Sequence, residues 1–224
     1  MEPAFLRARR PEHKQQRRET ILAAARSLGE RHRVRNVSLG DIAAEVGLAK
    51  SNVLRYFETR EEVYLYLTAE GWREWVQAVH AGLDEGPATP AEVAECLART
   101  LSERPLFCDL LGQAPANLEH NVSPEGVREF KLVALECVDD LARLIAAVLP
   151  GCGITAGREI VAGVALLGAG LWPIANPPAA LAVLYKTDPA LAAACVEFVP
   201  TLQRLVRVVT EGICGPGRPK TKGR

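Results

Sequence analysis

Aromatic residues make up only 5% of this 224-residue chain, although 48% of it is hydrophobic. Alanine, leucine and valine therefore carry the apolar content, a bias that favours helices over sheet. The six cysteines, at 96, 108, 137, 152, 195 and 214, include no Cys-x-x-Cys pair, and the histidines form no cluster. The usual zinc spacings are missing, so the thiols are expected to be buried and reduced, with no metal and no cofactor. The opening MEPAFLRARRPEHKQQRR carries charge without an apolar core, unlike a secretory leader. The uncharged stretch from Ile160 to Pro178 is interrupted by glycine, proline and asparagine, and Arg158 and Glu159 precede it. No membrane span is expected there, and a cytoplasmic location is.

What is present is a charge asymmetry hidden under a net charge of zero. Residues 1–60 hold 13 Lys/Arg against 7 Asp/Glu, residues 61–214 hold 10 against 20, and residues 215–224 hold 4 against none. The basic end is suited to a polyanion, with a merely solvated charged face as the plain alternative. Hydrophobic spacing is helical throughout, and no strand pattern or repeat interrupts it. A first helix is expected over His13 to His32, after a flexible basic arm at 1–12, with Ile21, Leu22, Ala25 and Leu28 as its apolar stripe. Further helices are expected from Thr59 toward Leu83, over 90–104, from Ser123 to Pro150, from Thr155 to Trp172 and from Asp188 to Ile213. Residues 106–122 read as irregular, and 215–224 as a basic disordered tail.

The most informative stretch is SLGDIAAEVGLAKSNVLRYFETREE, from Ser38 to Glu62. Ser38 with Asp41 three positions on is a capping-box pattern, and it opens a short helix that presents Leu39, Ile42, Ala43 and Val46 inward. Gly47 ends that helix, and a second one over 50–57 is anchored by Val53 and Phe57. Two short helices joined by a glycine turn form a helix-turn-helix, whose second helix enters the DNA major groove. The outer positions then fall to Lys50, Ser51, Asn52, Arg55 and Tyr56. These residue types bond phosphates and base edges, asparagine matching adenine and arginine matching guanine.

With VSLGDIAAEVGLAK followed by SNVLRYFETREEVY, the segment over about residues 13–64 resembles the DNA-binding domain of the tetracycline-repressor (TetR/AcrR) family of bacterial transcription regulators. The resemblance implies an all-α protein: an N-terminal three-helix reader at 13–60, a connecting helix, and a larger helical domain at 61–214 that dimerises and binds an effector. It implies that Ser38 and Tyr56 meet phosphates, that Lys50, Ser51, Asn52 and Arg55 enter the groove, and that Arg60 meets the DNA backbone. Arg17, near the start of the first helix, joins the expected DNA-binding set. Leu54 departs from the family pattern, where many members carry tyrosine.

The remaining chain carries no further motif. Small residues Ala162, Gly163, Ala165, Ala169 and Gly170 give one helix a face for close approach, and Val199, Leu202, Val206, Val209 and Ile213 give another a seam, with Pro200 as a candidate kink. Both faces are expected at a homodimer interface, with intrachain core as the alternative. Trp72, Trp75, Phe107, Phe130, Trp172 and Phe198 are candidate pocket walls, with Asn117, His120 and Asn121 as polar orienters for a small apolar or amphipathic effector. Core packing is the plainer role for any single aromatic. A dimeric, ligand-released repressor on a palindromic operator is thus the leading expectation. A DNA binder controlled by a protein partner is the alternative. Cys108 with His120 and Asp109 is the only catalytic set worth naming, and no nucleophile turn supports it, so no enzyme is expected.

Overall fold

The computed structural model describes residues 5–83 and 86–214, and among them all regular structure is helical. The basic tail expected at 215–224 lies outside the described residues, as do residues 1–4 of the expected arm. Helix α1 (Phe5–His32) buries Ile21, Leu22, Ala25 and Leu28, the stripe the spacing implies. Its backbone starts eight residues before the expected His13, because FLRARR is made of good helix formers and charge alone does not unwind it. After α1, Arg33 adopts φ 66°, a left-handed value uncommon outside glycine, and a 3-10 turn follows at Val34–Asn36.

Helix α2 (Leu39–Glu45) begins at the expected capping box. The Asp41 amide donates to Ser38 Oγ at 3.2 Å, and the Ser38 amide donates back to Asp41 Oδ2 at 2.8 Å. Gly47 takes φ 65°, the conformation that turns the chain toward α3 (Lys50–Val53). That helix is shorter than the expected 50–57. Beyond Val53 the bonds tighten to Tyr56 N–Val53 O at 2.9 Å, so residues 54–56 form turns.

Helix α4 (Arg60–Gly82) is the spine shared by both halves. Thr59 caps it, accepting the Glu62 amide at 3.0 Å, and the helix packs on α1 and on three helices of the body. The body continues with α5 (Pro90–Ser102), α6 (Pro105–Gln113), a 3-10 turn (Leu118–Asn121), α7 (Pro124–Val148) and α8 (Ile154–Ala175). Helix α8 lies against α6, α7 and α10 (Phe198–Cys214), and α10 lies against α5. At Gly157 an added Cβ would stand 2.6 Å from the Ala142 carbonyl oxygen, so α7 and α8 approach backbone to backbone there.

Three expectations for the body are corrected. Residues 106–113, part of the stretch 106–122 read as irregular, belong to α6, because Pro105 ends one helix and occupies the first position of the next. The single helix expected from Asp188 to Ile213 is divided into a 3-10 segment (Pro189–Ala194) and α10, and a further helix, α9 (Ala179–Thr187), precedes it. Asp188 instead accepts the Ala190 amide at 2.9 Å and starts a new turn. Pro200 does not kink the last helix. It sits in the first turn of α10, where the missing N–H has no intrahelical partner to lose.

Candidate nucleic-acid interface

The reading surface is assembled by fixing the inner face of α3 to a closed core. Val53 and Phe57 are fully buried, while Lys50, Ser51, Asn52 and Arg55 are exposed on the other side and Tyr56 is half-buried. Ser38 and Arg17 are exposed as well. The Ser38 hydroxyl, however, is already committed to the α2 cap, donating to Asp41 Oδ2 at 2.7 Å while accepting the Asp41 amide. Hydrogen bonding from Ser38 holds the Asp41 carboxyl below the ordinary aspartate range.

Arg60 is placed differently from the expectation. Its guanidinium donates to the Val34 and Val37 carbonyls and pairs with Glu61 at 3.0 Å. It also lies over the Tyr64 ring, 5.1 Å from the centroid. Arg60 therefore clamps the turn before α2 onto the start of α4 instead of projecting toward a ligand. Arg18, absent from the expected set, performs the matching task at the other end. Its guanidinium sits 4.2 Å from the Phe57 centroid and 4.8 Å from that of Tyr66, and Nη1 donates to the Tyr56 carbonyl at 3.2 Å. No spacing rule links residues 38 positions apart.

The turn before α2 is also held by the body. Asp109 on α6 accepts the Val34 amide at 2.9 Å, and Arg33 donates to the Asn176 carbonyl just past the end of α8.

The candidate effector residues do not converge on one cavity. Trp72, Trp75 and Phe107 are buried as one aromatic cluster, with centroids 5.6, 5.5 and 6.2 Å apart, and Trp75 Nε1 donates to Thr100 Oγ1 at 3.0 Å. They form core, the plainer reading. Trp172 and Phe198 meet edge to face at 5.0 Å. Asn117, His120 and Asn121 line a polar cleft of about 300 Å³ with Arg35 and Arg60. Phe130 borders a separate cavity between α1, α4 and α7.

The catalytic set is dispersed too. Cys108 is fully buried, its thiol donates to the Leu101 carbonyl at 3.3 Å, and burial pushes its pKa up to about 12. Asp109 is engaged with Val34 and His120 is exposed.

The expected interface faces of the body also sort out. On α10, Leu202 and Val206, two of the five expected seam residues, are buried within the chain as intrachain core, and Val208 points outward, 57% exposed. On α8, Leu166 and Ile174 are 74% and 53% exposed. Helix α8 is long and apolar enough to cross a membrane by length and composition, and only 33% of its most apolar window is buried.

Comparison with known proteins gives two family matches. Residues 21–67 match the bacterial regulatory proteins of the tetR family, and residues 69–216 match the tetracyclin repressor-like C-terminal domain. No curated protein matches the chain. Among solved structures, the multidrug binding protein EbrR, complexed with imidazole, is 21% identical with a TM-score of 0.54, covering 92% of this chain and 97% of that one. Thermus thermophilus FadR, a repressor in complex with lauroyl-CoA, is 21% identical with a TM-score of 0.54, covering 92% and 100%. The fatty acid degradation regulator FadR of Bacillus halodurans is 14% identical with a TM-score of 0.54, covering 89% and 99%. At these identities the likeness is one of fold.

Proposed function

We propose, from the premise that this chain belongs to the tetR family of bacterial regulatory proteins, that it is a dimeric cytoplasmic repressor released from a palindromic operator by a small molecule bound in its body. The observation that carries the DNA-binding part is the exposed row Lys50, Ser51, Asn52 and Arg55, held outward because Val53 and Phe57 lock the opposite face. Those four side chains combine cationic reach to phosphate with bidentate reach to purine edges.

Dimerisation is supported by the outward faces of α8 and α10. Leu166, Ile174 and Val208 are large apolar groups left in water by a single chain, and the exposed Leu181, Val183 and Leu184 of α9 extend the same apolar character. Exposed apolar area of this kind marks an interaction surface. A two-fold dimer presents two α3 helices to successive major grooves about 34–36 Å apart, which requires a palindrome. Ligand control draws support from solved relatives of the same fold, one complexed with imidazole and one with lauroyl-CoA.

Selection of binding sites from a random DNA library tests this directly. The expected result is one enriched inverted repeat, bound by two chains. Enrichment of no sequence, or of a single unrepeated half-site, overturns the reading.

A further inference from the structure

The cavity between the reader and the body holds an unusual combination. Leu65 and Ala69 of α4, with Phe130 and Val133 of α7, make an apolar floor for a space of about 130 Å³. Arg18 and Arg73 stand beside that floor, and among the described residues neither has a carboxylate within ion-pair distance. Several other arginines do have one, as in Arg26–Glu70 at 2.7 Å, Arg31–Glu45 at 2.7 Å and Arg158–Asp139 at 2.6 Å. Two carboxylates also border the cavity. Glu62 is turned to the Glu58 amide, which it accepts at 2.6 Å, and Glu129 lies on the exposed edge.

We infer that this seam is an effector site for a small amphipathic carboxylate, its apolar body on the Leu65–Phe130 floor and its carboxylate between Arg73 and Arg18. A guanidinium offers a planar fork of donors that matches a carboxylate, and Arg18 uses only one of its five in the bond to Tyr56. The size argues for a compact body. A cavity of about 150 Å³ lined by apolar side chains admits benzene, so a space of about 130 Å³ suits a single ring or a short chain.

The inference deepens the repressor reading and rests on it for its consequence, because Arg18 belongs to two structures at once. It borders the cavity and it holds the last turn of the recognition segment through the Tyr56 carbonyl. A bound carboxylate draws the guanidinium toward itself and away from that carbonyl. The recognition segment then loses its tether, and DNA affinity falls. By linkage, DNA must weaken carboxylate binding by the same factor.

The test uses the full chain and two probes of nearly equal shape, benzoate and the uncharged benzamide. Affinity for a selected operator is measured first, without either probe. Calorimetric titration is then expected to show benzoate binding at least about ten-fold tighter than benzamide, and about ten-fold weaker in Arg73→Gln, the scale of one charge-assisted bond. Ala69→Leu, which fills the floor, is expected to remove binding, and Arg73→Gln, at an exposed position, guards against misfolding as the cause. Benzoate is expected to lower operator affinity. Absence of benzoate binding at millimolar concentrations, or binding indifferent to both substitutions, overturns the site. Operator binding that persists in that case leaves the repressor reading standing, and operator binding that was never found defeats that reading whatever benzoate does.

Discussion

The indole nitrogen of Trp75 donates to the hydroxyl of Thr100 at 3.0 Å, and both residues are fully buried. The same hydroxyl donates to the Cys96 carbonyl at 2.7 Å, so a single oxygen joins α4 to α5 in a place water does not reach. Thr100→Val keeps the shape and strands the indole N–H. We expect it to cost about 1–3 kcal/mol of stability, the range for an orphaned buried donor. In a Trp75→Phe background the same change should cost less, since no N–H is left behind. Urea denaturation of the four proteins in the cycle measures the difference, and equal costs in both backgrounds would contradict the assignment.

For the reader, Asn52→Ala and Arg55→Ala are each expected to relax base preference by about 1–3 kcal/mol, the discrimination that one bidentate pairing with a base edge supplies. Tyr56→Phe is expected to weaken binding to every sequence alike, because a phosphate partner carries no base information. Anisotropy titrations at several salt concentrations, across an operator and its single-base variants, distinguish the two behaviours. Identical profiles for Asn52→Ala and Tyr56→Phe would show that the division of roles is wrong.

The capping box predicts a pH dependence whose sign follows from Asp41. Its carboxyl lies below the ordinary value because Ser38 donates to it from both amide and hydroxyl. A depressed folded-state pKa contributes stability that is fully present above the unfolded value of about 3.9 and is lost as pH falls through the folded value. Asp41→Asn should therefore unfold more easily than the parent at neutral pH, and the gap should close below about pH 4. Thermal melts of both proteins from pH 7 downward give the difference curve. A gap that widens on acidification would refute the assignment.

The dimer face is tested at its most exposed residue. Leu166 on α8 is 74% exposed in the single chain, so Leu166→Asp alters no intrachain core. It should leave the helical circular dichroism unchanged while light scattering at micromolar concentration shifts from two chains to one. Operator affinity should fall with it, because two half-sites are no longer engaged by one molecule. A variant that remains dimeric would move the interface elsewhere.

How much of this was legible in the sequence depended on the range of the interactions. The Ser38–Asp41 box, the Gly47 turn and the outward placement of Lys50, Ser51, Asn52 and Arg55 are set by neighbours within a few positions and stand where the sequence places them, while Tyr56, expected in the same outer row, is half-buried. Arg60 has the right residue type for a phosphate, but its acceptors are the Val34 and Val37 carbonyls, 26 and 23 residues away, which no local pattern announces. Arg18 escaped for the same reason, since its role depends on Tyr56 and Phe57 folding back onto α1. In the body, scarcity made every tryptophan and phenylalanine a candidate for a pocket. Trp72, Trp75 and Phe107 instead fill space between three helices, and composition cannot separate a wall from a core. The split of the expected last helix at residues 188–198 was visible as Asp188, Pro189 and Pro200, punctuation that the heptad-like valines and leucines masked.

The grip of Asp109 on the Val34 amide, with Arg33 on the Asn176 carbonyl, bears on protein engineering. A chimera made by exchanging the reading head at the connecting helix would treat the two parts as interchangeable. In this chain the corner that carries α2 is seated on side chains and carbonyls of α6 and the end of α8. A foreign head without a matching corner would leave the Asp109 carboxylate without its amide and the Asn176 carbonyl without its donor. The portable module here is therefore the head together with its seat, and a graft that respects only the boundary near residue 60 should bind DNA but lose its response to the body.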